Sequence, residues 1–201
     1  MEYNNYKNSH SGNDKYGSQR LELAIYLRDN IFNKISYDIF IENGTLLGAY
    51  RNNKFIQHDD DFDFAILIKD RKEIYDIFCK IKRNLNSKYK IRLISGYSDK
   101  LEIYDPSYGN YILAGPKYEK RDYHHVTVDL QFYLKHKNGY KSMYYISNNP
   151  LIDSNIILPL KKIGLEKQIF NCPNKTELFL KKIYGNINEG AKYNSITGLY
   201  E

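Results

Sequence analysis

Residues 59–68 read DDDFDFAILI: four carboxylates in five positions, then an unbroken apolar run. The apolar half asks for a strand buried in a core. The acidic half cannot follow it inside unless something positive sits among the carboxylates. The chain must therefore build a core strand whose mouth opens on a charged site. Asp61 and Asp63 are two apart on the expected strand Asp61–Ile68, so their side chains share one face. Asp59 and Asp60 stand just before it. Paired carboxylates on one face of a strand suit a hard divalent cation, which takes oxygen ligands.

Two further features bear on that site. Asp129 lies inside VTVDLQFY, a charge among Val126, Val128, Leu130 and Phe132 in a run that reads as a buried strand. If that strand neighbours Asp61–Ile68, three carboxylates converge. Such a trio holds two metal ions, and two ions can clamp the attacking and leaving oxygens of a phosphoryl or nucleotidyl transfer. Upstream, Gly44-Thr45 falls at a strand-to-helix turn, where close backbone approach, amide donors and a helix N-terminus make a phosphate seat. Each feature alone has a plainer explanation: a solvated acidic loop, a salt-bridged strand aspartate, a turn glycine. An EF-hand loop starting at Asp59 fails, because Phe64 stands where the glycine is needed and Asp70 where the bidentate glutamate is needed. The conjunction of the three points to a metal-dependent phosphate-transfer site, with Mg²⁺, or Mn²⁺ in its place, as the missing positive charge.

Around it, Arg20–Ile35 spaces Leu21, Ala24, Ile25, Leu27, Ile31 and Phe32 as a helix does. Tyr37–Glu42 reads as a strand and Thr45–Arg51 as a short helix capped by Thr45. Asp70–Asn86 is an amphipathic helix with a capping box of Asp70 and Glu73. Strand-like segments follow at Tyr89–Ile94, Leu101–Tyr104, Tyr111–Leu113, Val126–Leu134 and Tyr140–Ile146. Ile156–Leu165 and Lys167–Phe170 suggest a late hairpin, and Lys175–Tyr184 a last helix stopped by Gly185. This order predicts an α+β domain around one mixed β-sheet flanked by helices. Residues 1–19 hold no aliphatic side chain after Met1, too little to offset the entropy of ordering, so they are read as a flexible tail before a single domain, 20–201.

No apolar run reaches the roughly 18–20 residues of a membrane span, and no signal peptide is evident. Cys79 and Cys172 are too few for a disulfide framework. A cytoplasmic location is expected.

At this point the sequence resembles the LicD/fukutin family of the nucleotidyltransferase-fold superfamily. The resemblance rests on GTLLGAYR (Gly44–Arg51), FIQHDDDFDFAI (Phe55–Ile66), VDLQFY with Asp129 as its acid, and LPLKKIGLEKQIFNCPNKTELFLKKIYGN (Leu158–Asn186). It implies a nucleotidyltransferase-like core and a reaction that moves a phospho-alcohol, phosphocholine or ribitol phosphate for instance, from a CDP-linked donor to a sugar hydroxyl of a glycan, releasing CMP. Asp61 and Asp63 match the metal-binding Asp-x-Asp, and Asp129 the third acid. Gly44 and Thr45 match the phosphate-contacting pair, and Arg51 the arginine closing the first block. A salt bridge from Arg51 to Asp59 or Asp60 is the alternative. Where the family often has Pro-Trp, this chain has Gln57-His58; His58 is read as a polar wall or a salt-bridge partner.

Two rival readings stay open. The same carboxylates could serve a nucleotidyltransferase that uses an NTP and releases pyrophosphate. A net charge of +6 could instead mark a non-catalytic nucleic-acid or glycan binding module, although the acidic cluster would repel a phosphate backbone. Lys117, Lys120, Arg121, His124 and His125 form a basic stretch read as a solvated loop.

Overall fold

The computed structural model describes residues 12–56, 59–95, 99–114, 119–144, 149–194, 196 and 199–201. Helix α1 (Gly12–Asn30) and a 3₁₀ turn (Phe32–Lys34) lead into strand β1 (Ile39–Ile41) and helix α2 (Asn43–Asn52). Then come β2 (Asp63–Ile68), α3 (Glu73–Asn84), β3 (Lys90–Ile94), β4 (Lys100–Tyr104), β5 (Gly109–Ala114), β6 (Glu119–His124) and β7 (Thr127–His136). The chain continues through β8 (Gly139–Ser142), β9 (Ile152–Asp153), the single turn α4 (Ser154–Ile157), β10 (Lys161–Leu165), β11 (Gln168–Cys172), α5 (Thr176–Tyr184), β12 (Tyr193–Asn194) and β13 (Leu199–Tyr200).

The main sheet is mixed, with strand order β1-β2-β7-β4-β3, and β8 and β9 continue it beside the second half of β7. Among the described strand pairs of this sheet, only β2–β7 is parallel. A parallel pair needs a long crossover and cover on both faces. The crossover here is α3 with β3 to β6, and every residue of β2 is buried. Helix α1 packs on β7, α3 on β3, and α5 against α2 and α4. The protein is thus an α+β domain with a mixed sheet flanked by helices.

Each helix has a local cause. In α3, Ile74, Ile77 and Ile81 are buried on one stripe, each contributing about 1.5–3 kcal/mol by leaving water. The Glu73 carboxylate accepts from the Asp70 and Lys69 backbone amides while Asp70 accepts from Lys72, so the expected capping pair closes the turn just ahead of the helix. In α5, Phe179, Leu180 and Ile183 are buried, and Gly185 ends the helix at φ 77, a left-handed angle that glycine adopts freely. Phe32, Phe55, Phe62, Phe64 and Phe170 pack ring to ring behind the mouth of β2.

Three local expectations change. Helix α1 begins at Gly12, ahead of the start that spacing predicts at Arg20, because Tyr16 gains a tertiary partner, stacking on His125 at 4.8 Å. Residues 1–11 of the expected tail lie outside the described residues. Thr45 does not cap α2: it is buried within the helix, and Glu42 holds the cap position. Ile156 and Ile157 are buried in the turn α4 rather than in a strand, so the late hairpin is only β10–β11, closed by Glu166 and Lys167 at φ 47 and 64. That is the primed two-residue turn, here without the usual glycine.

Candidate metal centre

The parallel register sets Asp63 directly beside Asp129. Asp61 comes in from the loop before β2, and one ligand oxygen from each of Asp61, Asp63 and Asp129 lies within 4.8 Å of the others. Asp63 and Asp129 are 4% and 3% exposed, whereas Asp61 reaches solvent in part. Asp61 precedes the strand instead of lying on it, so the shared face inferred from i, i+2 spacing is not what unites the trio. The pairing of β2 with β7 does that.

Backbone and side chains hold the cluster in register. The Asp129 amide donates to the Phe62 carbonyl at 2.8 Å, and the Asp63 amide to the Thr45 hydroxyl at 3.0 Å. The Glu42 amide donates to the Asp63 carbonyl at 3.1 Å. Thr45 thus ties the first turn of α2 to the start of β2, which explains a buried threonine at that spot. Asn43, at φ 48, makes the sharp strand-to-helix entry. Across the sheet, Asp63, Asp129, Glu102 and Arg92 are successive register partners on β2, β7, β4 and β3. Two residues along, on the same face, Gln131 pairs with Lys100.

That second row reaches back to the first. Gln131 donates from Nε2 to Asp63 Oδ1 at 3.1 Å, and the Lys100 ammonium is ion-paired with Asp129 Oδ2. The other Asp129 oxygen, Oδ1, is buried without a hydrogen-bond partner, and so is Asp59 Oδ2. Buried unpartnered acceptors call for an explanation. A hard cation with oxygen ligands fits this donor set and supplies one.

The electrostatics agree. Burial, with the neighbouring acids, pushes the Asp63 carboxyl well above its usual range and Asp61 upward. Asp59 rises to about 8 through burial and the charges of Asp61 and Asp60. Asp129 rises to about 7: burial raises it, and the opposing pull of Lys100 does not cancel that. Burial works against a charged Lys100, yet the Asp129 carboxylate outweighs it and the lysine pKa is raised. Glu42 is wholly buried, and burial lifts it to about 8 against the opposing hydrogen bond of the Tyr133 side chain.

The remaining expected residues fall as follows. Gly44 opens α2 directly against the Asp59 carboxylate. Arg51, at the far end of α2, donates from Nε to the Ile187 carbonyl and from Nη2 to the Asn188 carbonyl, both at 2.8 Å. Asp60 is partly exposed in the loop before β2, and His58 lies outside the described residues. In the basic stretch, His124 stacks on Tyr104 at 3.9 Å, and the His125 carbonyl accepts from Arg20 Nε at 2.7 Å. Those two histidines are part of the packing, not a solvated loop.

Sequence reasoning missed Arg20, Glu42, Lys100 and Gln131. Arg20 is 1% exposed, and its charge acts on Asp59 and Asp61. Its signal was legible: it falls on the apolar stripe of Leu23, Ala24, Leu27 and Ile31. Gln131, two residues after Asp129, and Glu42, closing an apolar strand, were also polar residues at core positions. Lys100 carried no local signal.

Comparison with known proteins bears on this geometry. A family model described as LicD/FKTN/FKRP, nucleotidyltransferase domain, matches residues 36–175, more than half of the chain. No curated protein matches. Among solved structures, a chain from "structure of GLD-2/RNP-8 complex" aligns at 19% identity and a TM-score of 0.37 over 64% of this chain. The alignment spans 36% of that chain, about a third of its length, and likeness at this level carries no argument.

Proposed function

Because the chain belongs to the LicD/FKTN/FKRP nucleotidyltransferase-domain family, we propose that it is a metal-dependent phosphotransferase that moves a phospho-alcohol from a CDP-linked donor to a sugar hydroxyl of a glycan. Membership implies a transferase; the donor class, the acceptor and CMP release belong to this proposal. One observation carries it: ligand oxygens of Asp61, Asp63 and Asp129 converge within 4.8 Å beside a glycine-opened helix N-terminus.

In this reading Asp61, Asp63 and Asp129 hold Mg²⁺, which when bound offsets the charge of the donor's phosphates. Gly44 and Thr45 offer the first amides of α2 to those phosphates. Gln131 keeps Asp63, and Lys100 keeps Asp129, oriented toward the centre. The acceptor oxygen forms its bond to the phosphorus bearing the alcohol, the bond from that phosphorus to the CMP oxygen breaks, and the Asp129 carboxylate takes the acceptor's proton. Arg51, expected from the resemblance to reach a donor phosphate, is read here as an anchor of α2, a reading supported by its hydrogen bonds to the Ile187 and Asn188 carbonyls.

The test is product analysis with CDP-choline, CDP-ribitol and CDP-glycerol, each with and without Mg²⁺, beside thermal shifts with the same compounds and with CMP and CTP. A Mg²⁺-dependent release of CMP is expected. In Asp63→Asn it should fall on the order of a thousandfold. Because Asp63 is buried as a carboxyl with a raised pKa, the neutral isostere should leave the EDTA-treated protein at least as stable as the parent. Pyrophosphate release from an NTP would instead favour nucleotidyl transfer. Full activity in Asp63→Asn would sink the site.

A further inference from the structure

The three ligand carboxylates carry three negative charges when ionised, and one half-buried cation is already ion-paired with one of them. Lys100 stands on β4 directly across from Gln131, and its ammonium sits on Asp129 Oδ2, on the side away from the unpartnered Oδ1. Its side chain is 19% exposed, so it is built into the site rather than drawn in from solvent. With Oδ2 held by the ammonium, Oδ1 is the one oxygen that Asp129 has left for a metal ion. Counting charges gives the same answer: three carboxylates less one ammonium leave two negative charges, the charge of one divalent cation.

We propose that Lys100 stands in place of a second metal ion, so that this centre holds one divalent cation where three converging carboxylates would otherwise hold two. The inference rests on the metal-centre reading above. It makes Lys100 a positioning residue: it acts through Asp129, fixing Oδ2 and leaving Oδ1 for the ion. The arrangement follows from topology. Antiparallel β4 pairs with β7 on the side opposite β2, and its register delivers the lysine one row from Asp129.

The experiment counts ions. The EDTA-treated full chain is titrated with Mn²⁺ by calorimetry, with free Mn²⁺ followed by electron paramagnetic resonance, in the presence and absence of CDP-choline. One Mn²⁺ per wild-type chain is expected in both conditions. Lys100→Met should take up a second, while Lys100→Arg keeps one. A merely structural lysine would not change the stoichiometry. Two ions per wild-type chain would overturn the proposal, as would a folded Lys100→Met that still binds one. Should Lys100→Met not fold, the wild-type count decides by itself. A wild type that binds no Mn²⁺ overturns the metal-centre reading and this inference together. One ion bound, but no transfer from any CDP-alcohol, supports this inference and sinks the proposed reaction alone.

Discussion

A β-carbon on Gly44 would sit 2.5 Å from Asp59 Oδ2 and 2.8 Å from Oδ1. Real side chains do not approach that closely, so Gly44→Ala must push the Asp59 carboxylate away from the start of α2. The Asp59 and Asp61 carboxyl groups share a hydrogen bond, so moving one disturbs the other. The expected cost is about 1–3 kcal/mol of stability, as for other forced insertions into packed sites. Weaker Mn²⁺ binding should accompany it. Thermal melting and a Mn²⁺ titration of the variant check both, and a variant melting and binding like the parent would show that the contact is not tight. The glycine of GTLLG is therefore needed here for what it lacks, room for a neighbouring acid.

At the scale of elements, the site depends on how α2 is anchored at its two ends. At the N-terminal end the Thr45 hydroxyl holds β2 through the Asp63 amide. At the other end Arg51 grips the carbonyls of Ile187 and Asn188, drawing the C-terminal segment over the helix. Beyond it, Glu166 in the β10–β11 turn accepts from the Phe55 amide at 3.1 Å, and Asn171 of β11 donates to the Ile39 carbonyl at 2.8 Å. The late hairpin thus braces the loop leading to the acids. Arg51→Met keeps much of the side-chain bulk and removes both donated bonds. It should lower stability by about 1–3 kcal/mol and leave affinity for a CDP-alcohol unchanged. A loss of donor affinity without a loss of stability would return Arg51 to the phosphates.

For the whole molecule, burying so many acids makes stability depend on pH with an unusual sign. Glu42 and Asp59 are lifted to about 8 and Asp129 to about 7, in each case chiefly by burial. Unfolded, such carboxyls titrate near 4. The folded state therefore binds more protons across the interval, and the stability these groups contribute is complete below about pH 4 and lost as pH rises through about 7 to 8. Without metal, the melting temperature should fall from about pH 5.5 to about pH 8.5. Mg²⁺ should restore it most at the alkaline end, because metal ligands must be deprotonated. Calorimetric melts across that range, with EDTA and with Mg²⁺, check it; a Mg²⁺ effect largest at the acid end would contradict it. By itself the sequence determined the kinds of element and their chemistry: an apolar strand behind four acids, the stripe of α3, the stop at Gly185, and aspartates of a type that suits hard cations. Each is legible because helix and strand spacing assigns a residue to a face using its near neighbours only. Which faces meet was decided by the tertiary structure. Placing Asp63 beside Asp129, Lys100 on Asp129 and Arg20 toward Asp59 depends on the parallel pairing of β2 with β7, the register of β4 and the packing of α1. Those choices are made by the burial of distant apolar surfaces against one another, and no local period records them.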